Sequence, residues 1–418
     1  MQIPFRFLVA VHVCAFALSS KTPAQQEATV RPRIPCLTTA ERLTLLSAND
    51  GEVRFVHTAS GTEQRCVDDS ITVMHLGPDH PPVIKTVAGT VPVTIHGSPH
   101  LAISRDGRYG FIVNHNWRGT PIAEGDQHPI PAKHLVNVLS VIDMESDDLR
   151  VIDQVPLPGN AWMVDLHPDG EKVIVSVGGG FHTYALQANK LALVAAAKTP
   201  STVFSFDVSP RGDRIIAVTV NSEQGISDSE IHLFAINGDR ITHLQRIESE
   251  EGTGPIEQGF SPRISPDGRM AIVLHDFGDG GTGSLDDVLI VDLSLPRPRV
   301  TQRLPQLADG LESLAFHPSG QFVVISCLTK GPDVVTTSHL ATIDLTERPV
   351  RLLNYMPVDP VPEGIEFTPD GSQLFVQTTL ANHIVVYDVD GMILRRSPFV
   401  LCTGHAPSAL GIGRSATK

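Results

Sequence analysis

Residues 365–376 read IEFTPDGSQLFV: a short apolar run, a Pro-Asp-Gly turn, and a second apolar run. Proline presets its own φ, aspartate bonds the turn through its side chain, and glycine takes the positive φ that a tight hairpin needs. Each copy of this unit therefore predicts two neighbouring antiparallel strands joined by a turn.

The unit recurs along the chain, and self-similarity at a fixed period indicates a repeat architecture. The other copies are LAISRDGRYGFIV (101–113), VDLHPDGEKVIV (164–175), FDVSPRGDRIIAV (206–218), RISPDGRMAIV (263–273), LAFHPSGQFVVI (314–325) and a weaker LLSANDGEVRFV (45–56). The turn glycines are about 53 residues apart on average; they are Gly51, Gly107, Gly170, Gly212, Gly268, Gly320 and Gly371.

Further apolar runs follow each unit at a regular offset and predict a third strand. They are VNVLSVIDM (136–144), IHLFAI (231–236), VLIVDL (288–293), LATIDL (340–345) and HIVVYDV (383–389). A more polar fourth strand leads to the next unit, as in RVIDQVPL (150–157). Seven units of four strands predict an all-β protein, a seven-bladed β-propeller of antiparallel blades that spans residues 37–418 as one domain.

Composition excludes several classes of protein. The chain has 418 residues, of which 41% are hydrophobic, so it can bury a large core and is not disordered. The 32 Lys+Arg against 46 Asp+Glu give a net charge of −14 without a basic run, which argues against a nucleic-acid partner. No CxxCH, GxSxG, HExxH or P-loop motif occurs, so covalent c-type haem is excluded and no familiar catalytic signature is present.

The first 24 residues have the composition of an export signal. A positive start is followed by the apolar run FLVAVHVCAFAL (7–18) and by small residues at Thr22-Pro23-Ala24. We expect residues 1–24 to be removed, residues 25–36 to form a linker, and the protein to be periplasmic or secreted. No later apolar stretch reaches about 18 residues, so we expect no membrane span.

Four cysteines follow the export signal, and in an oxidising compartment they predict one or two structural disulfides. Cys36 and Cys402 flank the two segments that could close the ring, which favours a bridge between them, with Cys36–Cys66 as the alternative. Residues 405–411 resemble the start of an innermost strand and could pair with the first blade; otherwise the strand around residues 43–46 fills that place and the tail is loose.

Two segments also resemble a known family. VLSVID (138–143) and GIEFTPDG (364–371) are similar to the YVTN-type repeats of bacterial surface and periplasmic propellers. That repeat class also resembles lactonase-like propellers and the heavy chains of periplasmic quinoprotein amine dehydrogenases. The resemblance implies the architecture, whereas the activity stays open because the matching residues are turn and core residues.

A small-molecule site is expected at the mouth of the central channel, on the face opposite the Pro-Asp-Gly turns. Residues just before an inner strand or just after a second strand should lie there. The candidates for acid–base chemistry and for holding an anionic group are Arg263, His275, Glu312 and Glu363. The candidates for binding substrate are His100, His115, Trp117, Trp162 and His182.

Alternatives to acid–base chemistry remain for this set. His100, His115, His275 and Glu363 could hold a divalent metal, although no other cofactor is indicated and two tryptophans disfavour a tryptophan-derived quinone. The two glutamates could instead pair with Arg263 across the channel and serve structure alone. The loop 115–134, in the longest gap between repeats, is expected to overhang this face as a lid.

Three functions fit the sequence. The first is an exported lactonase-like hydrolase that acts on a small molecule in the channel mouth. The second is a non-catalytic propeller that binds a protein or a glycan on the same face. The third is the propeller subunit of a periplasmic oxidoreductase whose cofactor belongs to another chain.

Overall fold

The computed structural model describes residues 37–51, 55–58, 61–64, 67–93, 100–115, 136–221, 225–254, 256, 259–275, 285–329 and 338–415. Within these ranges the chain forms strands and turns without an α-helix, and the strands make seven four-stranded antiparallel blades. The all-β propeller predicted from the repeats is therefore confirmed. No helix in the described part of the chain is long and apolar enough to cross a membrane.

Blade 1 combines strands from both ends of the described chain. Its strands, from the channel outward, are β30 (Pro407–Arg414), β1 (Leu43–Asn49), β4 (Ser70–Leu76) and β5 (Val83–Ala88). A separate hairpin between β1 and β4 is formed by β2 (Phe55–Thr58) and β3 (Gly61–Gln64). Blade 2 contains β6 (Leu101–Ile103), β7 (Tyr109–Asn114), β8 (Val138–Asp143) and β9 (Arg150–Pro156).

In each of blades 3, 4 and 7 the four strands follow one another in sequence order from the channel outward. Blade 3 contains β10 (Val164–Leu166), β11 (Lys172–Ser176), β12 (Gly180–Gln187) and β13 (Lys190–Lys198). Blade 4 contains β14 (Thr202–Val208), β15 (Arg214–Asn221), β16 (Gly225–Asn237) and β17 (Arg240–Arg246). Blade 7 contains β26 (Pro362–Phe367), β27 (Gln373–Thr378), β28 (His383–Asp390) and β29 (Ile393–Cys402).

Blades 5 and 6 share one long strand, β22 (Arg299–Phe316), whose first half ends blade 5 and whose second half begins blade 6. Blade 5 also contains β19 (Gly259–Ile264), β20 (Met270–His275) and β21 (Asp286–Asp292). Blade 6 also contains β23 (Phe322–Thr329), β24 (His339–Asp344) and β25 (Arg351–Pro357). The two-residue strand β18 (Glu248–Ser249) pairs in parallel with the start of β22.

Six of the seven predicted turns join an inner strand to a second strand, and Gly268 shows why glycine is needed there. Its φ is +72°, a conformation that L side chains rarely adopt, although no atom lies closer than 3.9 Å to the place of a Cβ. Its N–H donates to the Ser265 carbonyl at 2.8 Å, and the Ser265 hydroxyl donates to Asp267 at 2.6 Å. The backbone, rather than crowding, requires the glycine.

The seventh predicted turn, at Gly51, is wrong. Gly51 follows β1, which pairs with β30 on one side and with β4 on the other, and β2 pairs only with β3. Because blade 1 takes its inner strand from the other end of the chain, it has no continuous turn between its first and second strands. Gly51 is instead buried, and its carbonyl accepts a hydrogen bond from the Val67 N–H at 2.9 Å.

The apolar core is divided into seven clusters, one between each pair of neighbouring blades in the described chain. The cluster that joins blade 7 to blade 1 packs Phe375 and Val386 against Leu45 and Met74. Residues 407–414 lie in register with β1, with Leu46 opposite Gly411, so the C-terminal segment closes the ring. The alternative of a loose tail is excluded.

The cysteines do not form the bridge that the sequence favoured. Cys402 is an exposed free thiol, so the Cys36–Cys402 disulfide is not present, and Cys327 is buried. Strand pairing between β30 and β1 holds the ring closed without it. Cys36 and Cys66 lie outside the described residues, and a bridge between them stays a prediction.

Candidate functional site

Irregular pairing at one end of the inner strands shapes the channel mouth. Strands β14, β19, β22 and β26 all lose register with their second strands at the end away from the glycine turns. A bulge leaves a residue without a ladder partner and redirects its side chain. The residues displaced from the ladder include Phe204, Glu312 and Glu363.

These residues occupy one position of the repeat, eight residues before the turn glycine, which we call the mouth position. Its occupants on five successive inner strands are Trp162, Phe204, Phe260, Glu312 and Glu363. Neighbouring inner strands contact one another around the ring. The mouth position therefore carries three aromatic side chains, followed by two carboxyl groups on the next two blades.

The aromatic side chains form a continuous row across four blades. The ring of His115 lies 4.1 Å from that of Trp162, centroid to centroid, Trp162 lies 5.0 Å from Phe204, and Phe204 lies 5.8 Å from Phe260. His100 approaches the row through its Nδ1, which is 2.7 Å from the Trp162 carbonyl. His115 and Phe204 are buried within the row, whereas Trp162 and Phe260 are partly exposed and are the rings that a ligand could stack on.

His115 is unsuited to proton transfer near neutral pH. Burial lowers the pKa of His115 to about 3, and the neighbouring His100 adds to that lowering. A histidine with such a pKa stays neutral under physiological conditions. Its contribution to the site is therefore its aromatic ring and its ring nitrogens, without a charge.

Glu312 and Glu363 form a carboxyl pair beside the aromatic row. Glu363 is only 5% exposed, and its Oε2 has no hydrogen-bond partner among the described residues. Burial raises the pKa of Glu363 well above its ordinary value, and the charge of Glu312 raises it further. Arg263 and His275 have other partners: Arg263 donates to Asp207, and Arg303 and Asp287 act on the charge of His275.

Arg263 belongs to a second layer, three residues closer to the turn along the inner strand. Five residues before the turn glycines, at what we call the channel position, stand Ala102, Asp165, Asp207, Arg263, Ala315 and Glu366. The Arg263 guanidinium donates to Asp207 at 3.1 Å, and Glu366 and Asp165 also act on its charge. Arg263 therefore pairs with carboxylates at its own level.

The channel position also joins neighbouring blades through their backbones. Asp165 accepts a hydrogen bond from the Val208 N–H at 2.9 Å, and Asp207 accepts one from the Ile264 N–H at 2.7 Å. Each aspartate thus satisfies an N–H on the next inner strand, whose channel-side edge has no ladder partner. The arrangement has a structural role that does not depend on a ligand.

The charges at the channel position perturb one another. Burial raises the pKa of Asp165 to about 7, with a further rise from Asp207, and burial raises that of Glu366 to about 7 against the opposing charge of Arg263. Burial opposes the Arg263 charge, but the three carboxyl groups outweigh it and raise its pKa. Three acids and one guanidinium leave this level acidic when all are ionised.

His275 lies in a third environment. It ends β20, and its neighbours are Asp287 and Arg303, which form a 2.7 Å ion pair between the third and fourth strands of blade 5. Burial lowers the pKa of His275 to about 4, and the charge of Arg303 lowers it further. The four residues singled out for catalysis therefore divide into the Glu312–Glu363 pair and two separate ion-pair networks.

The other residues predicted for the site do not join the carboxyl pair either. His182 lies within the third strand of blade 3, opposite Val175, because the turn from β11 is short; its Nδ1 is 3.3 Å from the Tyr184 hydroxyl. Trp117 and the rest of the predicted lid 115–134, apart from His115, lie outside the described residues. In the described part of the chain no group of three or more His, Cys, Asp or Glu side chains is arranged to hold a metal ion.

Asp165, Asp207 and Glu366 were missed by the sequence reasoning. Aligning the repeats on their turn glycines would have placed them, together with Arg263, at one level of the channel. The alignment contained that signal, because equal spacing from the turn means equal depth along the inner strand. The bulges at the mouth position left no such signal in the sequence.

Comparison with known proteins supports the fold. No protein-family model matches the sequence, and no curated protein matches it. A candidate 6-phosphogluconolactonase from Bacteroides uniformis superposes with a TM-score of 0.62 at 17% identity, covering 89% of this chain and 99% of its own. The periplasmic gluconolactonase of Pseudomonas aeruginosa gives a TM-score of 0.59 at 17% identity, with the same coverage.

Another similar structure belongs to a different kind of protein. The hydrazine synthase of Kuenenia stuttgartiensis gives a TM-score of 0.55 at 16% identity and covers 77% of this chain and 91% of its own. At such identities the likeness establishes architecture alone. The chain has a lactonase-like β-propeller fold.

Proposed function

We propose that the protein is a lactonase-like hydrolase that opens a lactone ring at the channel mouth, with Glu312 and Glu363 as its acid–base pair. The observation that carries the proposal is the buried Oε2 of Glu363, which has no partner among the described residues and adjoins a second carboxyl group. Perturbed carboxyl pairs of this kind are typical of catalytic sites. The similarity to lactonase-like propellers agrees with the proposal but does not carry it.

The chemistry needs one protonated and one ionised carboxyl group. Because burial raises the pKa of Glu363, Glu363 takes the role of the acid under this proposal and Glu312 that of the base. Glu312 accepts a proton from a water molecule, whose oxygen forms a bond to the lactone carbonyl carbon. The bond between that carbon and the ring oxygen then breaks, and Glu363 donates its proton to the ring oxygen. The product is a hydroxy acid, and proton exchange with solvent restores the pair.

The other side chains at the mouth bind and orient the substrate. Trp162, Phe204 and Phe260 form a row of aromatic rings on the blades next to the carboxyl pair, and this row would contact the apolar part of the substrate. Arg263 has no part in the reaction under this proposal, because its guanidinium is paired with Asp207 at the channel position. We also propose that the enzyme acts after export, on the basis of residues 1–24.

A lactone panel assayed by proton release tests the proposal. Glu363→Gln should lower kcat/KM at least about 100-fold, since the amide cannot supply the proton, while the melting temperature stays within a few degrees. Glu248→Gln, an exposed change of the same kind, should leave both values unchanged. Hydrolysis that survives in Glu363→Gln would refute the assignment of the acid.

A non-catalytic binding propeller is the second candidate, and the aromatic row favours it. Rows of ring faces also bind sugars and other ligands without reaction. On this alternative no lactone in the panel is opened, whereas Trp162→Leu still abolishes binding of the ligand. The two candidates are therefore separated by whether turnover, or binding alone, depends on residues of the mouth position.

A further inference from the structure

The mouth position divides the channel opening into an aromatic arc and an acidic arc. Trp162, Phe204 and Phe260 occupy blades 3, 4 and 5, and Glu312 and Glu363 occupy blades 6 and 7. The two arcs adjoin, because blades 5 and 6 are consecutive and share β22. A ligand in the opening therefore meets ring faces and carboxyl groups together.

Among the described residues, the next level down offers no unpaired positive charge. The guanidinium of Arg263 is bound to Asp207 at 3.1 Å, and Asp165 and Glu366 act on the same charge. A phosphate or carboxylate entering the channel would approach two carboxyl groups at the mouth and three at the channel position. The one described arginine at that level is already paired, so its charge does not attract an anion.

We infer that the mouth binds an organic cation, and that the lactone it opens carries an ammonium group beside an apolar ring. Aromatic faces attract ammonium groups through their quadrupoles, most strongly for tryptophan, and a nearby carboxylate adds a charge-assisted contact. The unpartnered Oε2 of Glu363 and the row beginning at Trp162 are independent observations that point to the same ligand chemistry. The reaction part of this inference rests on the proposed function; the binding part does not.

An ammonium substrate would also prepare the carboxyl pair. A positive charge beside two carboxyl groups favours the state in which one of them is ionised. The substrate would thereby supply the cation that Arg263 does not supply at the mouth, and Glu312 would be ready to accept the proton of water. An anionic lactone would have the opposite effect and hold both carboxyl groups protonated.

Binding is tested with two probes of the same shape. Choline and its uncharged isostere 3,3-dimethyl-1-butanol are titrated into the protein by calorimetry, with inorganic phosphate as a competitor. We expect choline to bind at least about tenfold more tightly than the isostere, and phosphate not to compete. Equal binding of the two probes, binding of neither, or displacement by phosphate would overturn the inference.

Variants of Trp162 and Glu312 test whether choline binds at the mouth position. Trp162→Leu should weaken choline binding about tenfold and Trp162→Phe should weaken it less, because a ring face is retained. Glu312→Gln should also weaken it about tenfold, whereas Glu248→Gln should leave it unchanged. Circular dichroism melts confirm that each variant is folded, and unchanged choline affinity in folded Trp162→Leu and Glu312→Gln would contradict the assigned site.

Turnover separates this inference from the proposed function. L-homoserine lactone, γ-butyrolactone and 6-phosphoglucono-δ-lactone are compared at about pH 6, where the amine is protonated. We expect kcat/KM to be highest for L-homoserine lactone. If the phosphorylated lactone is opened fastest, the cation inference fails and lactone hydrolysis stands. If choline binds at the mouth but no lactone is opened, the proposed hydrolase fails and the cation site stands.

Discussion

The acidic groups at the channel position should make the fold less stable as pH rises. Asp165 and Glu366 have pKa values of about 7 in the folded protein, against ordinary values of 3.8 and 4.5. The folded chain therefore keeps protons that the unfolded chain has released, and stability falls as pH increases from about 4 to about 7 and then levels off. This direction is opposite to that of a carboxylate stabilised by a salt bridge.

The size of the effect follows from these pKa values. Between about pH 5 and about pH 8 each of the two groups lowers the free energy of unfolding by about 2–3 kcal/mol, or about 5 kcal/mol together. That sum is a ceiling, because the side chains line a channel: their neighbours Asp207 and Arg263 keep 14% and 18% of their surface exposed. We expect about 2–5 kcal/mol, which lowers the melting temperature by about 3–6 °C in a domain of this length.

Thermal melts at about pH 5 and about pH 8 measure this difference. The double variant Asp165→Asn, Glu366→Gln should lose most of the pH dependence, since neither amide titrates and the side-chain oxygen at position 165 can still accept the Val208 N–H bond. A control with Glu248→Gln and Asp390→Asn, both on the surface, should behave like the unchanged protein. If the double variant loses as many degrees between the two pH values as the unchanged protein, the channel groups do not carry the effect.

Three further predictions concern the fold. Gly268→Ala should lower the free energy of unfolding by about 1–2 kcal/mol because of its positive φ alone. Gly371→Ala should lower it more, because the added methyl would also collide with the imidazole of His317 in the preceding blade. Chemical denaturation measures both. In the native protein a thiol reagent should modify Cys402 at once and Cys327 only after unfolding, and equal rates would contradict their assigned burial. Deleting residues 407–418 should remove the inner strand of blade 1 and abolish cooperative unfolding in a thermal melt, whereas a cooperative transition would show that the ring closes without it.

The fold could be predicted from the sequence because the turns between its strands are formed by neighbouring residues. A Pro-Asp-Gly turn such as that at Gly371 decides its conformation within a few residues, and its hydrogen bonds confirm this. The exception at Gly51 arises where the pairing is not local, since β1 pairs with β30 at the far end of the chain. Local turn chemistry cannot reveal such a pairing, although the likeness of the C-terminal tail to an inner strand suggested it.

Only part of the candidate site could be predicted from the sequence. Trp162, Glu312 and Glu363 were placed near the mouth because each precedes an inner strand. Arg263 was assigned to the same level although it lies three residues closer to its turn, and the structure pairs it there with Asp207. His275 has partners on the third and fourth strands of its blade, and their approach depends on the register of the sheet. Sequence spacing does not fix that register.

The departures from the repeat, rather than the repeat itself, carry the information about function. Turn and core positions are constrained in every blade, because each blade packs against two neighbours. A bulged residue has no ladder partner, so its type is free to differ from blade to blade, as Phe204 and Glu312 show. The channel position is different, because its aspartates accept backbone N–H bonds from the next inner strand. The same carboxyl groups also neutralise the charge of Arg263. Under the proposed function, and among the residues that the structure describes, a cation used at the mouth position would arrive with the ligand.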